Sequence, residues 1–219
     1  MNERIINTYT ELFADIPEKE LLMYRAVIQL IQEDYDINNI KVSDITKRAG
    51  IGKGTAYEYF SSKEEIIVKA IIYDTYLLIK EVEEILLHAE TDFAEKYMEL
   101  LKFLEKRIEV SKCVGVIVSM LSGTFEIGES YRRELMLFQQ QCPSDFLDDL
   151  IDAYMEQGLK EGCFAEGDVY VRRHAFITQI VGYIFLLLNK YFKGEWSKEQ
   201  ARKAAYRSMI VMINHFEEK

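Results

Sequence analysis

Apolar residues recur at spacings of three and four along most of the 219-residue chain, the period of helices that each bury one face. Ile5, Ile6, Tyr9, Leu12 and Phe13 mark a short first segment. After Pro17, Leu21, Tyr24, Ile28, Ile31 and Tyr35, joined by Ala26 and Leu30, predict a helix from Glu18 to about Asp34. Val42, Ile45 and Ala49 predict a short helix that Gly50 stops, since glycine takes up the left-handed conformation a helix end often needs. Lys53 to Phe60 is a second short helix, with Ala56, Tyr57 and Phe60 spaced to face inward. Ser62-Lys63-Glu64-Glu65 has the form of a capping box and opens a long helix towards His88. Two short helices around a glycine-containing turn, backed by a third, are the helix-turn-helix pattern.

Beyond residue 90 the same period continues. Thr91–Val110 and Val114–Phe125 read as helices, and Tyr131–Glu161 as a long one that Pro143 must kink or split. Gly158 and Gly162 are expected to end it, with a loop to Asp168. Asp168–Phe192 is apolar on nearly every side, which demands burial on several sides. Ser197, with Gln200 at the box position, caps a last helix to Phe216. The chain has only 2 prolines and 11 glycines, and few alternating β-branched runs, so the fold class expected is all-α.

The residues of the helix-turn-helix match more than a period. Ile45, Ala49-Gly50-Ile51, Lys53-Gly54-Thr55, Tyr57, Tyr59-Phe60 and Ser62-Lys63-Glu64 stand in the order of a known signature. This segment resembles the DNA-binding region of TetR/AcrR-type transcriptional regulators. The match covers about 45 residues, counting the helix before it. Thr46, Gly52, Ala56, Lys41, Asp34 and Glu58 depart from the usual pattern. Lysine at 41 cannot cap with its side chain, and Asp34 is a residue that tolerates the left-handed region.

The resemblance implies an N-terminal three-helix DNA-binding domain, residues 1–65, and a larger helical ligand-binding and dimerisation domain, residues 66–219. It also implies that Ser43, Lys53, Gly54, Thr55, Tyr57, Glu58, Tyr59 and Lys63 meet DNA. The chemistry suits those positions. Gly54 lets backbone approach closely, and Thr55 can meet a thymine methyl. Tyr57 and Tyr59 can donate to phosphates, Glu58 can accept from cytosine N4, and Lys63 and Ser43 sit where phosphate is expected. Packing of Tyr57 within the small domain is the competing reading.

Charge sharpens the picture. The net charge is −10, which alone argues against nucleic acid. Between Lys41 and Lys63, however, Lys41, Lys47, Arg48, Lys53 and Lys63 face only Asp44 and Glu58, a local +3 on an acidic body. The chain holds 12 Phe and 14 Tyr. Tyr97, Phe103, Met120, Phe125, Phe138 and Tyr183 are placed to line a mostly apolar cavity for a small effector, although each also reads as plain core. Glu126 and Glu129 give a weak preference for a cationic effector.

The last two helices are expected to form a homodimer interface, with Ala201, Ala204, Ala205, Ser208 and Met212 as a close-approach face. One reading helix makes too few base contacts, so two half-sites of an operator duplex are expected.

Other chemistries find little support. Cys113, Cys142 and Cys163 have no metal or redox spacing and read as idle thiols. His88, His174 and His215 are scattered, so neither metal nor cofactor is expected. No nucleophile elbow or phosphate loop points to an enzyme. The apolar run Ile180–Leu188 is shorter than a bilayer span, and no signal peptide is evident, so a cytoplasmic protein is expected. The function the resemblance implies is a TetR-like regulator, a repressor released from a palindromic operator by a small, mostly apolar ligand. The alternative is a helical ligand-binding or protein-docking module whose helix-turn-helix is only a scaffold.

Overall fold

A computed structural model describes residues 13, 15–110, 129–141, 146–188 and 197–216, with the side chains of 138–141 and 146 excepted. Every regular element among the described residues is helical: α1 (Glu18–Gln32), α2 (Val42–Ala49), α3 (Lys53–Tyr59), α4 (Lys63–Glu83), α5 (Phe93–Val110), α6 (Glu129–Gln141), α7 (Phe146–Lys160), α8 (Val169–Leu188) and α9 (Lys198–His215). The helix expected at Val114–Phe125 lies outside the described residues. Helices α6 and α7 stand on either side of Pro143, where the sequence calls for a kink or split.

The chain forms two compact units. The first holds residues 1–79 and 110–144, the second residues 80–109 and 145–219.

In the first unit, Met23, Val27 and Leu30 of α1 and Ile45 of α2 meet Ile66, Ile67 and Ala70 of α4, all essentially without exposure. The buried seam of α1 runs through Met23, Tyr24, Val27, Leu30 and Ile31. Tyr35 is therefore not the core residue its spacing suggests: it is half exposed. The cause is the helix end. Asp34 turns left-handed (φ 66°), the Asp34 N–H donates to the Ile31 carbonyl and the Tyr35 N–H to the Leu30 carbonyl. That closure satisfies orphan carbonyls and swings Tyr35 off the helix face. Gly50 (φ 69°) closes α2 in the same way, with Ile51 donating to Thr46.

Entry to the helices follows the sequence with two adjustments. The side chain of Lys41 gives no cap to α2; instead Asp44 reaches back and accepts from the Lys41 N–H at 3.0 Å. At α4, Ser62 Oγ accepts from the Glu65 N–H at 3.0 Å, as a capping box requires. The reciprocal half is displaced by one residue: Glu65 accepts from both the N–H and the hydroxyl of Ser61, each at 2.8 Å. These bonds and Lys69 outweigh partial burial and hold the Glu65 carboxyl below its usual range.

In the second unit, helix α4 ends in one π turn, Glu84–His88, and α5, α7, α8 and α9 follow. Phe93, Tyr97, Tyr154, Phe164, Phe176 and Tyr206 form one cluster of rings, with Phe93 stacked on Tyr154 at 4.4 Å. Gly158 does not end α7, as the sequence suggested; it lies inside. A Cβ there would sit 2.7 Å from Phe164 and 2.9 Å from Phe93, so the glycine makes room for rings. Gly162 (φ 72°) is the residue that closes the helix. Ser197 and Gln200 complete the reciprocal capping box of α9.

Helix α8 lies within the expected Asp168–Phe192, and its apolar character extends beyond the run Ile180–Leu188. Its 20 residues are long and apolar enough to cross a membrane by length and composition, and 28% of the stretch is buried within the protein. One side, Arg172, Ala175, Phe176 and Tyr183, is buried in the second unit. Tyr170, Ile177, Val181 and Phe185 recur on the other side, each 42–72% exposed.

Candidate nucleic-acid interface and ligand site

The geometry of the helix-turn-helix follows from its two caps. Gly50 reverses the chain after α2, and Gly52, extended, starts α3 two residues later. Ala56 and Phe60 point into the core, at 1% and 3% exposure. Lys53, Gly54, Tyr57 and Glu58 are exposed, while Thr55 and Tyr59 are half-buried. The inward orientation that spacing gave Tyr57 is thus overturned: it is 55% exposed. Tyr59 packs partly against the core.

A cleft of about 440 Å³ opens on this face, lined among others by Lys41, Ser43, Lys53, Tyr57, Ser62 and Lys63. Three lysines, hydroxyl-bearing residues and the first residues of α2 line it, residue types that suit a phosphate. Glu64, at 4.0 Å from the Lys63 Nζ, tempers the field. Of the residues singled out from the sequence, the cleft brings together Ser43, Lys53, Tyr57 and Lys63. Gly54, Thr55, Glu58 and Tyr59 are not among its lining residues but lie on the same short α3. The sequence reading missed Lys41, Ser61 and Ser62. Lys41 enters the sequence reading as part of the local positive charge and as a residue that cannot cap, not as a residue of the interface, though its charge at a helix start was a signal in itself.

Two of the five basic residues have other partners. Arg48 forms a two-pronged pair with Glu33, at 2.5 and 2.7 Å, tying α2 to the end of α1. The pair lowers the Glu33 carboxyl and raises the guanidinium, mainly through these hydrogen bonds. Lys63 donates to the carbonyls of Asn38, at 2.7 Å, and Ile40, at 3.1 Å. It therefore pins the turn that leads into α2. Tyr131 of α6, 3% exposed, pins the same turn by donating to the Ile37 carbonyl at 2.9 Å. Burial, with Glu64 and Asp36 nearby, pushes the Tyr131 phenol up to about 12.

The residues expected to line an effector site are only partly described. Met120 and Phe125 lie outside the described residues, as does the side chain of Phe138. Tyr97 is fully buried in the ring cluster, Phe103 is half-buried on the same helix, and Tyr183 is buried with its hydroxyl donating to Glu105. Glu105 also pairs with Arg202, so this tyrosine closes a polar network. Cys163 is half-buried, and burial pushes its thiol up, away from the reactive thiolate. Among the described residues no group of three or more His, Cys, Asp or Glu is placed to hold a metal ion.

Residues 27–70 match the family model described as bacterial regulatory proteins, tetR family. No protein of curated function matches the chain. Solved structures do. A fatty acid degradation regulator, FadR from Bacillus halodurans, is 17% identical with a TM-score of 0.63, covering 94% of this chain and 100% of its own. The regulator FadR from Bacillus subtilis, in complex with stearoyl-CoA, is 19% identical with a TM-score of 0.58, covering 88% and 97%. A transcriptional regulator from Saccharomonospora viridis, in complex with choline, is 19% identical with a TM-score of 0.62, covering 87% and 94%. At these identities the likeness is one of fold.

Proposed function

We propose that the chain, whose residues 27–70 match the tetR-family model, is a DNA-binding regulator of that kind, a repressor that leaves its operator when a small, mostly apolar ligand enters its helical C-terminal part. The cleft lined by Lys41, Ser43, Lys53, Tyr57 and Lys63 carries the proposal, because it gathers phosphate-binding groups beside the exposed face of α3. Residues 1–65 are the reading part and 66–219 the sensing part in this division. Ser43 and Lys53 hold the DNA backbone, Lys63 fixes the turn before α2 that sets them in place, and Gly54, Thr55, Tyr57, Glu58 and Tyr59 meet the groove and its rims.

The regulator acts in the cytoplasm as a homodimer on a palindromic operator. The exposed apolar stripe of α8, at Tyr170, Ile177, Val181 and Phe185, supports this, together with Val211 on α9. The approach face of α9 is revised from the sequence reading. Ala201 and Ala205 are buried within their own unit, which leaves Ala204, Ser208 and Val211 to the partner. Two of the neighbouring structures hold stearoyl-CoA and choline, which supports the reading that this chain binds a small ligand. Effector binding favours one setting of the long α4, which alters the spacing of the two reading helices and lowers operator affinity.

The test is a selection from random duplexes with the full-length protein, followed by sedimentation. A palindromic consensus bound by a dimer is expected, with Val181→Glu and Phe185→Glu giving helical monomers that no longer bind it. No enrichment of any duplex would leave the helix-turn-helix as a scaffold only.

A further inference from the structure

Three tyrosines of the ring cluster bring their hydroxyls inside the second unit. Tyr154 donates to the Phe93 carbonyl at 2.7 Å, and Tyr206 shares a hydrogen bond with the Cys163 thiol. Tyr97, with no exposure at all, has no hydrogen-bond partner for its hydroxyl among the described residues. A phenylalanine would pack there without stranding an oxygen, so the hydroxyl calls for an explanation.

Arg172 poses the same question with a charge. It is 9% exposed, and its Nε and Nη1 are both buried without an acceptor. A guanidinium cannot shed its proton to relieve such a site, as a buried carboxyl can. Its neighbour shows what an arginine with protein partners looks like here: Arg173 is paired with Asp148 at 2.7 Å and Asp152 at 2.6 Å. Those carboxylates of α7 serve Arg173, and among the described residues none is paired with Arg172.

The two anomalies meet at one ring. Arg172 and Phe176 lie one turn apart on the buried face of α8. The Tyr97 ring stands edge-on to Phe176, with centroids 6.1 Å apart. Two residues with unpaired buried donors, one of them charged, thus both adjoin Phe176: Arg172 by its place on the helix and Tyr97 by its ring. The missing complement of both is an oxygen acceptor, and the charge asks that it be an anion.

We propose that Arg172 and Tyr97 form the head-group end of the effector site, and that the effector carries an anionic oxygen group, carboxylate or phosphate, on an apolar body laid against the rings. The proposal rests on the reading that the second unit binds an effector, and it reverses the preference for a cation that Glu126 and Glu129 suggested. Glu129 belongs to the first unit, where it lines a cleft with Ser61, Ser62, Glu64 and Arg133.

Calorimetry on the full-length protein with hexanoate, hexyl phosphate, hexanol and hexylammonium tests it, since the tail is constant and only the head changes. One of the two anions is expected to bind at least about tenfold more tightly than hexanol. Which anion wins separates carboxylate from phosphate. Arg172→Met is expected to remove that preference while leaving the melting temperature equal or higher, because an unpaired buried charge has gone. Tyr97→Phe is expected to weaken the anion several-fold without loss of stability, and it carries the test alone if Arg172→Met does not fold. Equal affinity for anion and alcohol, preference for hexylammonium, or an anion preference that survives Arg172→Met overturns the proposal while the effector reading stands. Binding of none of the four overturns it as well, and the effector reading is then judged separately by operator release in a wider ligand screen.

Discussion

Lys53 and Lys63 look interchangeable in the sequence, as two lysines of one basic segment, yet the structure predicts that removing each has a different signature. Lys53 is exposed on the first turn of α3 and lines the cleft. Lys53→Ala should remove one phosphate contact per protomer. Each contact contributes ~0.9 to the slope of log affinity against log salt, so a dimer should lose ~1.8. Its melting temperature should not move. Lys63 instead holds the Asn38 and Ile40 carbonyls, with 26% of its side chain exposed. Hydrogen bonds to a charged group contribute about 1.5–3 kcal/mol when shielded, and solvent screening reduces the pair here to ~1–2 kcal/mol. Lys63→Met should therefore lower the melting temperature by about 2–8 °C for a chain of this size. Its affinity for all duplexes should fall because the turn before α2 loosens. Fluorescence anisotropy on the selected operator, from ~0.05 to ~0.25 M salt, and a thermal melt read both quantities. An unchanged slope for Lys53→Ala, or a Lys63→Met protein that loses slope without losing stability, refutes the assignment.

Gly158→Ala should destabilise by about 1–3 kcal/mol in a thermal melt, since the new methyl meets ring atoms of Phe164 and Phe93 at 2.7–2.9 Å. Tyr131→Phe should cost ~1 kcal/mol by stranding the Ile37 carbonyl, with hydrogen exchange at residues 37–40 rising more than elsewhere in the first unit. The Glu65 carboxyl is held below its usual value near 4.5, so the stability it lends is present above that pH and is lost as pH falls through its lowered value. Urea melts from neutrality down to acid should show Glu65→Gln less stable than wild type at neutrality, with the two converging only once the pH has fallen below the lowered Glu65 value.

The sequence by itself determined the helical class, the two-helix reading motif and the caps at Gly50, Ser62 and Ser197, because these depend on residues within a few positions of one another. Even the left-handed turn at Asp34 was legible, since the conformational tolerance of one residue type suffices to anticipate it. What escaped depended on partners distant in the chain. Spacing alone placed Tyr57 inward and Tyr35 in the core, because a period of three to four fits several faces of one short helix. Only the packing of α1 and α4 against Ala56 and Phe60 chose the face. Gly158 read as a helix end because glycine usually is one; the rings of Phe93 and Phe164, brought from elsewhere in the chain, turned it into a packing position. Lys63 and Arg48 read as free charge until Ile40, Asn38 and Glu33 came within reach. Arg172 was not noticed at all, since nothing in a sequence distinguishes an arginine with carboxylates beside it from its neighbour without them. That difference is decided by which way a helix face turns, and a helix face turns towards whatever tertiary packing lays against it.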